Sequence, residues 1–140
     1  MTAIYTASAT ATGEGRNGHS RSSDGIVDVD LATPVELGGP GGATNPEQLF
    51  AAGYAACFLS ALKLIARRQQ ADITDVAVTA DVGLNSNGAG GFQLSVALHV
   101  EMSGVDQATA EGLAQAAHQV CPYSNATRGN IESSVNTIVG

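Results

Sequence analysis

The chain has 140 residues, 44% of them hydrophobic and 14% charged, a size and balance that fit one compact domain over residues 1–140. Thirteen acidic residues against six basic ones give a net charge of -7, so no attraction to nucleic acid or to an anionic membrane surface through bulk charge is expected. No run reaches the ~18 uncharged apolar residues of a membrane helix, and the start, MTAIYTASATATGEGR, lacks a basic segment followed by an apolar one, so the expectation is a soluble cytoplasmic protein.

From Tyr5 to Thr12 apolar and polar residues alternate, with Tyr5, Ala7, Ala9 and Ala11 on one face, which predicts a half-buried strand. Val27, Val29 and Leu31 alternate with Asp28 and Asp30, after Asp24-Gly25, a dipeptide suited to a tight hairpin turn. The loop ELGGPGGATN, with four glycines around Pro40, bends the backbone ahead of a helix start. There Asn45 can cap, Pro46 fits the first helical position, and Glu47 lies at the positive end of the dipole. The helix should run to about Arg68. From Gln48 to Leu62 it has no charge, and Leu49, Phe50, Tyr54, Phe58, Leu59 and Leu62 are spread round it, the pattern of a helix covered on every side. A single sheet covers one side only, so a second helix or the same helix of another subunit must cover the rest, and a homodimer is expected. Val76 to Leu84 and Phe92 to Met102 alternate on either side of the turn-rich NSNGAGG and predict a hairpin. A second helix begins near Asp106, turns Val105, Leu113, Ala117 and Val120 towards the core, and ends at Pro122, and residues 131–139 form a final strand. The fold class is α+β, with antiparallel sheets packed round a long central helix.

Several motifs fail on context. GEGRNG at 13–18 matches G-x-G-x-x-G, but the dinucleotide fingerprint needs a helix to follow, and His19 to Leu31 reads as β. GGPGG lacks the Lys and Ser/Thr of a phosphate loop, and three isolated histidines with two isolated cysteines have no metal-ligand spacing, so no metal is expected. Surface or dipole-satisfying roles suffice for His99, on a polar strand face, and for His118, in a helix's last turn. No G-x-S-x-G motif occurs. The thiols remain. A Cys in an apolar helix is more often an inert small hydrophobe. Yet Cys57 is a sheltered thiol, and Cys121, at a helix end beside Pro122 where the backbone is exposed, can approach it.

TNPEQLFAAGYAACF (44–58) and CPYSNATRGN (121–130), with an Arg in a Gly-rich turn near the start and the run LATPVELGGPGGATNPEQ, resemble the organic hydroperoxide resistance (Ohr) proteins of the OsmC/Ohr superfamily. The resemblance covers essentially the whole chain, and the residues after the second Cys resemble the Ohr branch rather than the OsmC branch. It implies an intertwined homodimer that reduces organic, especially lipid-derived, hydroperoxides to alcohols through thiol chemistry. The catalytic residues it implies are Arg16, Glu47, Cys57 and Cys121, with Cys57 attacking the peroxide and Cys121 resolving the product to a disulfide. The reductant it implies is a dihydrolipoyl group on a lipoylated protein, with no bound cofactor or metal.

Elementary electrostatics then asks what ionises Cys57. A free thiol with pKa about 8.5 is only a few per cent thiolate at neutral pH, and burial raises the pKa further. The helix dipole acts over about one turn, and Cys57 is eleven residues past Pro46, so a guanidinium is needed. Lowering the pKa by about two units corresponds to about 2.7 kcal/mol, within reach of a charge-assisted contact to Arg16. By themselves Arg16 reads as a solvated turn residue and Glu47 as a first-turn carboxylate. In a continuous helix Glu47 and Cys57, ten residues apart, are separated by about 15 Å along the axis and about 80° round it, so the Glu47 holding Arg16 is expected from the other subunit in preference to a same-chain bridge aided by a late helix start. Phe50, Gly53 and Tyr54 share the side of Cys57 and, with Phe58, predict an apolar approach with a gap at Gly53 for an alkyl tail. Two other functions fit these residues: a non-catalytic dimer holding a small apolar ligand among Phe50, Tyr54 and Phe58, and an OsmC-type peroxidase preferring hydrogen peroxide.

Overall fold

Turns centred on glycine organise the start of the chain in the computed structural model, which describes residues 1–140. The chain divides into two compact units, Met1–Leu49 and Phe50–Gly140. In the first, β1 (Ala9–Thr12), β2 (His19–Ser22) and β3 (Asp28–Asp30) form an antiparallel sheet in that order. Gly13 and Gly15, at φ +75° and +71°, shape the turn that carries Arg16, closed by the Gly18 N–H donating to the Gly15 carbonyl at 3.0 Å. The strand expected over 5–12 contracts to Ala9–Thr12 and is exposed along its length, because its small alanines bring too little apolar area to fix a longer one.

Side chains tie this turn to the helix start. Asn17 donates through Nδ2 to Thr33 Oγ1 at 3.1 Å and accepts the Thr33 N–H at 2.9 Å. Leu31 bridges to Thr44, the Ala32 N–H donates to the Thr44 carbonyl, and Asn45 Oδ1 accepts the Gln48 N–H at 2.9 Å, the cap read from the sequence. Helix α1 runs from Pro46 to Arg68, as expected.

The second unit holds most of α1 with β4 (Thr74–Ser86), β5 (Phe92–Ser103), α2 (Gln107–Val120), α3 (Pro122–Thr127) and β6 (Ser133–Val139). β4 and β5 are the predicted hairpin, but β6 pairs with β5 in parallel, so this sheet is mixed rather than antiparallel. The path from β5 through α2 and α3 is a crossover, which returns the chain to the sheet in the direction it left. The outer edge of β6 is sealed by the Gln107 side chain, which donates to the Thr137 carbonyl at 2.7 Å and accepts the Val139 N–H at 3.2 Å.

Burial bears on two expectations and corrects the second. In α1 a stripe of Tyr54, Phe58, Ala61, Leu62, Ile65 and Ala66 is buried, whereas Ala52, Ala56 and Ser60 are exposed, so within one chain the helix is covered on one side. Its richest 18-residue window has a mean hydropathy of 1.8, but its bulky side chains are spent on a core shared with Leu98, Val100, Met102 and Leu113. In α2, Leu113 and Ala117 face that core while Val120 is 39% exposed, because the next position of the buried stripe falls to Cys121.

His19 lies between two carboxylates, its Nδ1 2.7 Å from Asp30 and its Nε2 against Asp28, and these contacts raise its pKa above the ordinary 6.5. A raised histidine pKa stabilises the fold at low pH, and the contribution is lost as pH rises through the folded-state value. His19 should therefore titrate above 6.5 in a proton NMR titration, and Asp28→Asn should move its midpoint back towards 6.5.

Candidate active site

Both cysteines are free thiols, and they stand together where α1 meets the joint between α2 and α3. Cys121 caps α3, with extended φ and ψ of -65° and 124°, and its own N–H donates to the Ala117 carbonyl at 2.9 Å. Cys121 is fully buried and Cys57 only partly, which reverses the expected roles of sheltered and approaching thiol. The reason is that Cys121 completes the buried stripe of α2, whereas Cys57 sits beside that of α1. Burial pushes the Cys57 pKa up, the Tyr123 backbone N–H donating to its sulfur pulls it down, and the adjacent Cys121 thiol pushes it up again, with a raised pKa as the balance.

The Tyr123 contact is absent from the sequence reading, which considered only the amino terminus of α1. The signal was present: Cys121-Pro122 is an N-cap followed by proline at the first helical position, and the unpaired amides of that turn must find acceptors. The rest of CPYSNATRGN fastens this short helix. The Tyr54 hydroxyl hydrogen-bonds Ser124 Oγ at 2.8 Å and Thr127 Oγ1 at 3.1 Å, and Ser124 Oγ also meets His118 Nδ1 at 2.8 Å. Arg128 donates to the His118 carbonyl at 2.8 Å and to Asn125 Oδ1 at 2.5 Å. His118 is thus buried in a polar cluster instead of lying at the surface.

The remaining residues singled out in the sequence fall into separate groups. Arg16 Nη2 lies 2.7 Å from Glu47 Oε1 within one chain, whereas the sequence reading looked for that Glu47 on another subunit. The Asn17–Thr33 bonds and the Leu31–Thr44 bridge bring turn and helix start together, a route that the separation of Glu47 from Cys57 along a helix does not reveal. Arg16 Nη1 is buried with no hydrogen-bond partner. Over Gly53 there is no empty gap: a Cβ there would lie 2.6 Å from the Tyr123 hydroxyl, so the Tyr123 ring occupies that place. Tyr54 and Phe58 are both fully buried, with Phe58 against His118. Phe50 opens on a cavity of about 450 Å³, shared with Phe92, Leu94 and Ile131.

Comparison with known proteins places these residues among relatives. The profile of OsmC-like proteins matches residues 39–136. An organic hydroperoxide resistance protein of Xanthomonas axonopodis pv. citri is 53% identical over 92% of this chain and 91% of its own length. The solved structure of one from Legionella pneumophila superposes with a TM-score of 0.93 at 53% identity, covering 97% of this chain and 98% of that one. One from Elizabethkingia anophelis gives a TM-score of 0.95 at 48% identity, covering 100% of both chains.

Burial and the neighbouring Arg128 charge push the His118 pKa below its ordinary 6.5. As pH falls below about 6.5, the unfolded chain takes up a proton that the folded chain refuses, so stability is lost on acidification through that window and unaffected above it. His118→Gln should flatten this part of the profile, read as the difference in urea midpoint between pH 7.5 and 5.5 for variant and parent.

Proposed function

Because the chain belongs to the OsmC-like family, within its organic hydroperoxide resistance proteins, we propose that it is a cytoplasmic, homodimeric, thiol-dependent peroxidase that reduces organic hydroperoxides to alcohols. The observation that carries this reading is the pair of free thiols in contact, one partly open and one buried. The open Cys57 thiolate attacks the distal peroxide oxygen, the O–O bond breaks, and the alkoxide takes a proton and leaves as an alcohol, with a sulfenic acid left on Cys57. Cys121 then attacks that sulfur, the S–O bond breaks, and the hydroxide leaves as water, giving a Cys57–Cys121 disulfide. An external dithiol of dihydrolipoyl type, carried on a lipoylated protein, returns the pair to thiols by exchange. No bound metal or organic cofactor takes part in these steps.

Substrate preference follows from the lining of the cavity. Phe50, Phe92, Leu94 and Ile131 give it an apolar side suited to an alkyl chain, alongside the polar Asn87, Gln93, Thr127 and Asn130, and Phe50 packs edge-on against Tyr123 at 5.6 Å between ring centres. Hydrogen peroxide gains nothing from such a wall. The exposed small-residue face of α1, Ala52, Ala56 and Ser60, is the surface a second copy would cover.

The cation that ionises Cys57 is Arg16 in this proposal, with Glu47 positioning it. Glu47 engages one end of the guanidinium, while the buried, unpaired Nη1 lacks an acceptor that a thiolate or a peroxide oxygen would supply. Glu47, with a side chain only 15% exposed, is the better shielded member of the pair and can hold the planar group in one orientation.

Stopped-flow oxidation of the reduced protein by an alkyl hydroperoxide and by hydrogen peroxide, with thiol counting and peptide mass spectrometry, tests the reading. Cys57→Ser should abolish peroxide consumption, Cys121→Ser should allow one turnover and leave a sulfenic acid on Cys57, and the alkyl substrate should react faster. First oxidation on Cys121, or equal rates for the two peroxides, contradicts the assignment. Arg16→Gln should shift the pH profile of Cys57 alkylation upward by about one to two units, in line with the charge-assisted contact removed; an unmoved profile would exclude the guanidinium.

A further inference from the structure

The six residues of α3 are too few to hold a helix by themselves, and Cys121 caps it without any side-chain bond. One attachment that ties it to α1 comes from Tyr54, whose hydroxyl reaches both Ser124 and Thr127. Tyr54 stands one turn before Cys57 on α1, and Ser124 stands three residues after Cys121. The bond between them therefore spans the same helix pair as the thiols do, one turn away from each sulfur. Tyr54 and Ser124 are fully buried, Thr127 is 4% exposed and His118 9%. Water has no free access to replace a lost partner.

The hydroxyls satisfy one another in a closed cluster. Ser124 Oγ bridges His118 Nδ1 and the Tyr54 hydroxyl at 2.8 Å each, Tyr54 also meets Thr127 Oγ1 at 3.1 Å, and Thr127 Oγ1 donates to the Ser124 carbonyl at 3.3 Å. Removing the Tyr54 hydroxyl takes one partner from each of Ser124 and Thr127 and removes a polar tie between α1 and α3, while the phenyl ring still packs against Phe50 and Tyr123.

We propose that the Tyr54 hydroxyl is a positioning group for the redox pair, holding the Cys121 end of α3 against Cys57 through Ser124 and Thr127. The inference rests on the reading of Cys57 and Cys121 as a peroxidatic and resolving pair. Its consequence lies in how the sulfenic acid divides between two fates. Attack by Cys121 closes the disulfide and expels water; attack on a second hydroperoxide gives a sulfinic acid and a second alcohol. A misplaced Cys121 slows the first fate and leaves the second untouched.

The experiment exposes reduced protein to increasing alkyl hydroperoxide and counts disulfide and Cys57 sulfinic acid by mass spectrometry. In Tyr54→Phe and Ser124→Ala the ratio of disulfide to sulfinic acid should fall by roughly fivefold to tenfold, the size expected for one buried hydrogen bond. Ser124→Thr, which keeps a hydroxyl, should recover most of the ratio, and Tyr54→Phe with Ser124→Ala should be little worse than either alone. A ratio within twofold of the parent in both single variants overturns the proposal, whatever happens to thermal stability. A parent protein that forms no Cys57–Cys121 disulfide instead refutes the underlying pairing, and the inference with it.

Discussion

Burial of one stripe of α1 is the constraint from which the arrangement of the thiols follows. Tyr54, Phe58, Leu62 and Ile65 supply the apolar area that attaches α1 to Leu98, Val100 and Met102 of β5 and to Leu113 of α2. At roughly 25 cal/mol per Å² of apolar area, four such side chains outweigh any single polar contact in the unit. Once they are seated, the rotation of α1 is fixed, and Cys57, one residue before Phe58, must lie at the margin of the stripe where a small molecule can reach it. Cys121 has no such freedom: it continues the buried face of α2 and is sealed.

That seating creates an electrostatic problem which its immediate surroundings only partly answer. A thiol at the edge of a core is biased towards its neutral form, and a second thiol beside it strengthens the bias. The Tyr123 amide acts the other way, because a donor aimed at sulfur favours the anion. The same short helix thus carries at its cap the Cys121 thiol and, in its first turn, an amide donor to the Cys57 sulfur, so its placement bears on both thiols at once. This explains why a six-residue helix is held by a cluster of buried hydroxyls, an arginine bound to a carbonyl, and an aromatic ring packed over a glycine.

The sequence was legible where pattern and period speak locally. The Asn45 cap with Pro46 defined α1, and the alternation on either side of NSNGAGG defined the β4–β5 hairpin. What it did not disclose were relations between distant segments. The parallel return of β6 depends on where the crossover packs, and alternation along one strand is blind to its partner's direction. His118 looked like a surface residue because a last-turn histidine has a sufficient local explanation, whereas its burial is decided by Ser124 and Arg128 folding back over it. Glycine at 53 suggested an opening, since a missing side chain reads as space until a neighbour is known to fill it. The pairing of Arg16 with Glu47 likewise depends on Asn17 and Thr33, polar residues with no period to betray them.

The allocation of cations narrows which charge can serve the thiol. The chain has six lysines and arginines in all. Arg21 lies beside Asp28, and Arg67 and Arg68 occupy the last turn of α1, with Lys63 one turn earlier, where the carbonyl end of the dipole favours positive charge. Arg128 is committed to the His118 carbonyl and to Asn125. Arg16 differs from these in retaining a buried donor with no acceptor, although one edge of its guanidinium is already neutralised by Glu47. An unpaired buried N–H costs on the order of 1–3 kcal/mol, a cost that a stable fold sheds unless an anion arrives to use it. Within the scaffold this donor is unspent, which is what sets Arg16 apart from the other five cations.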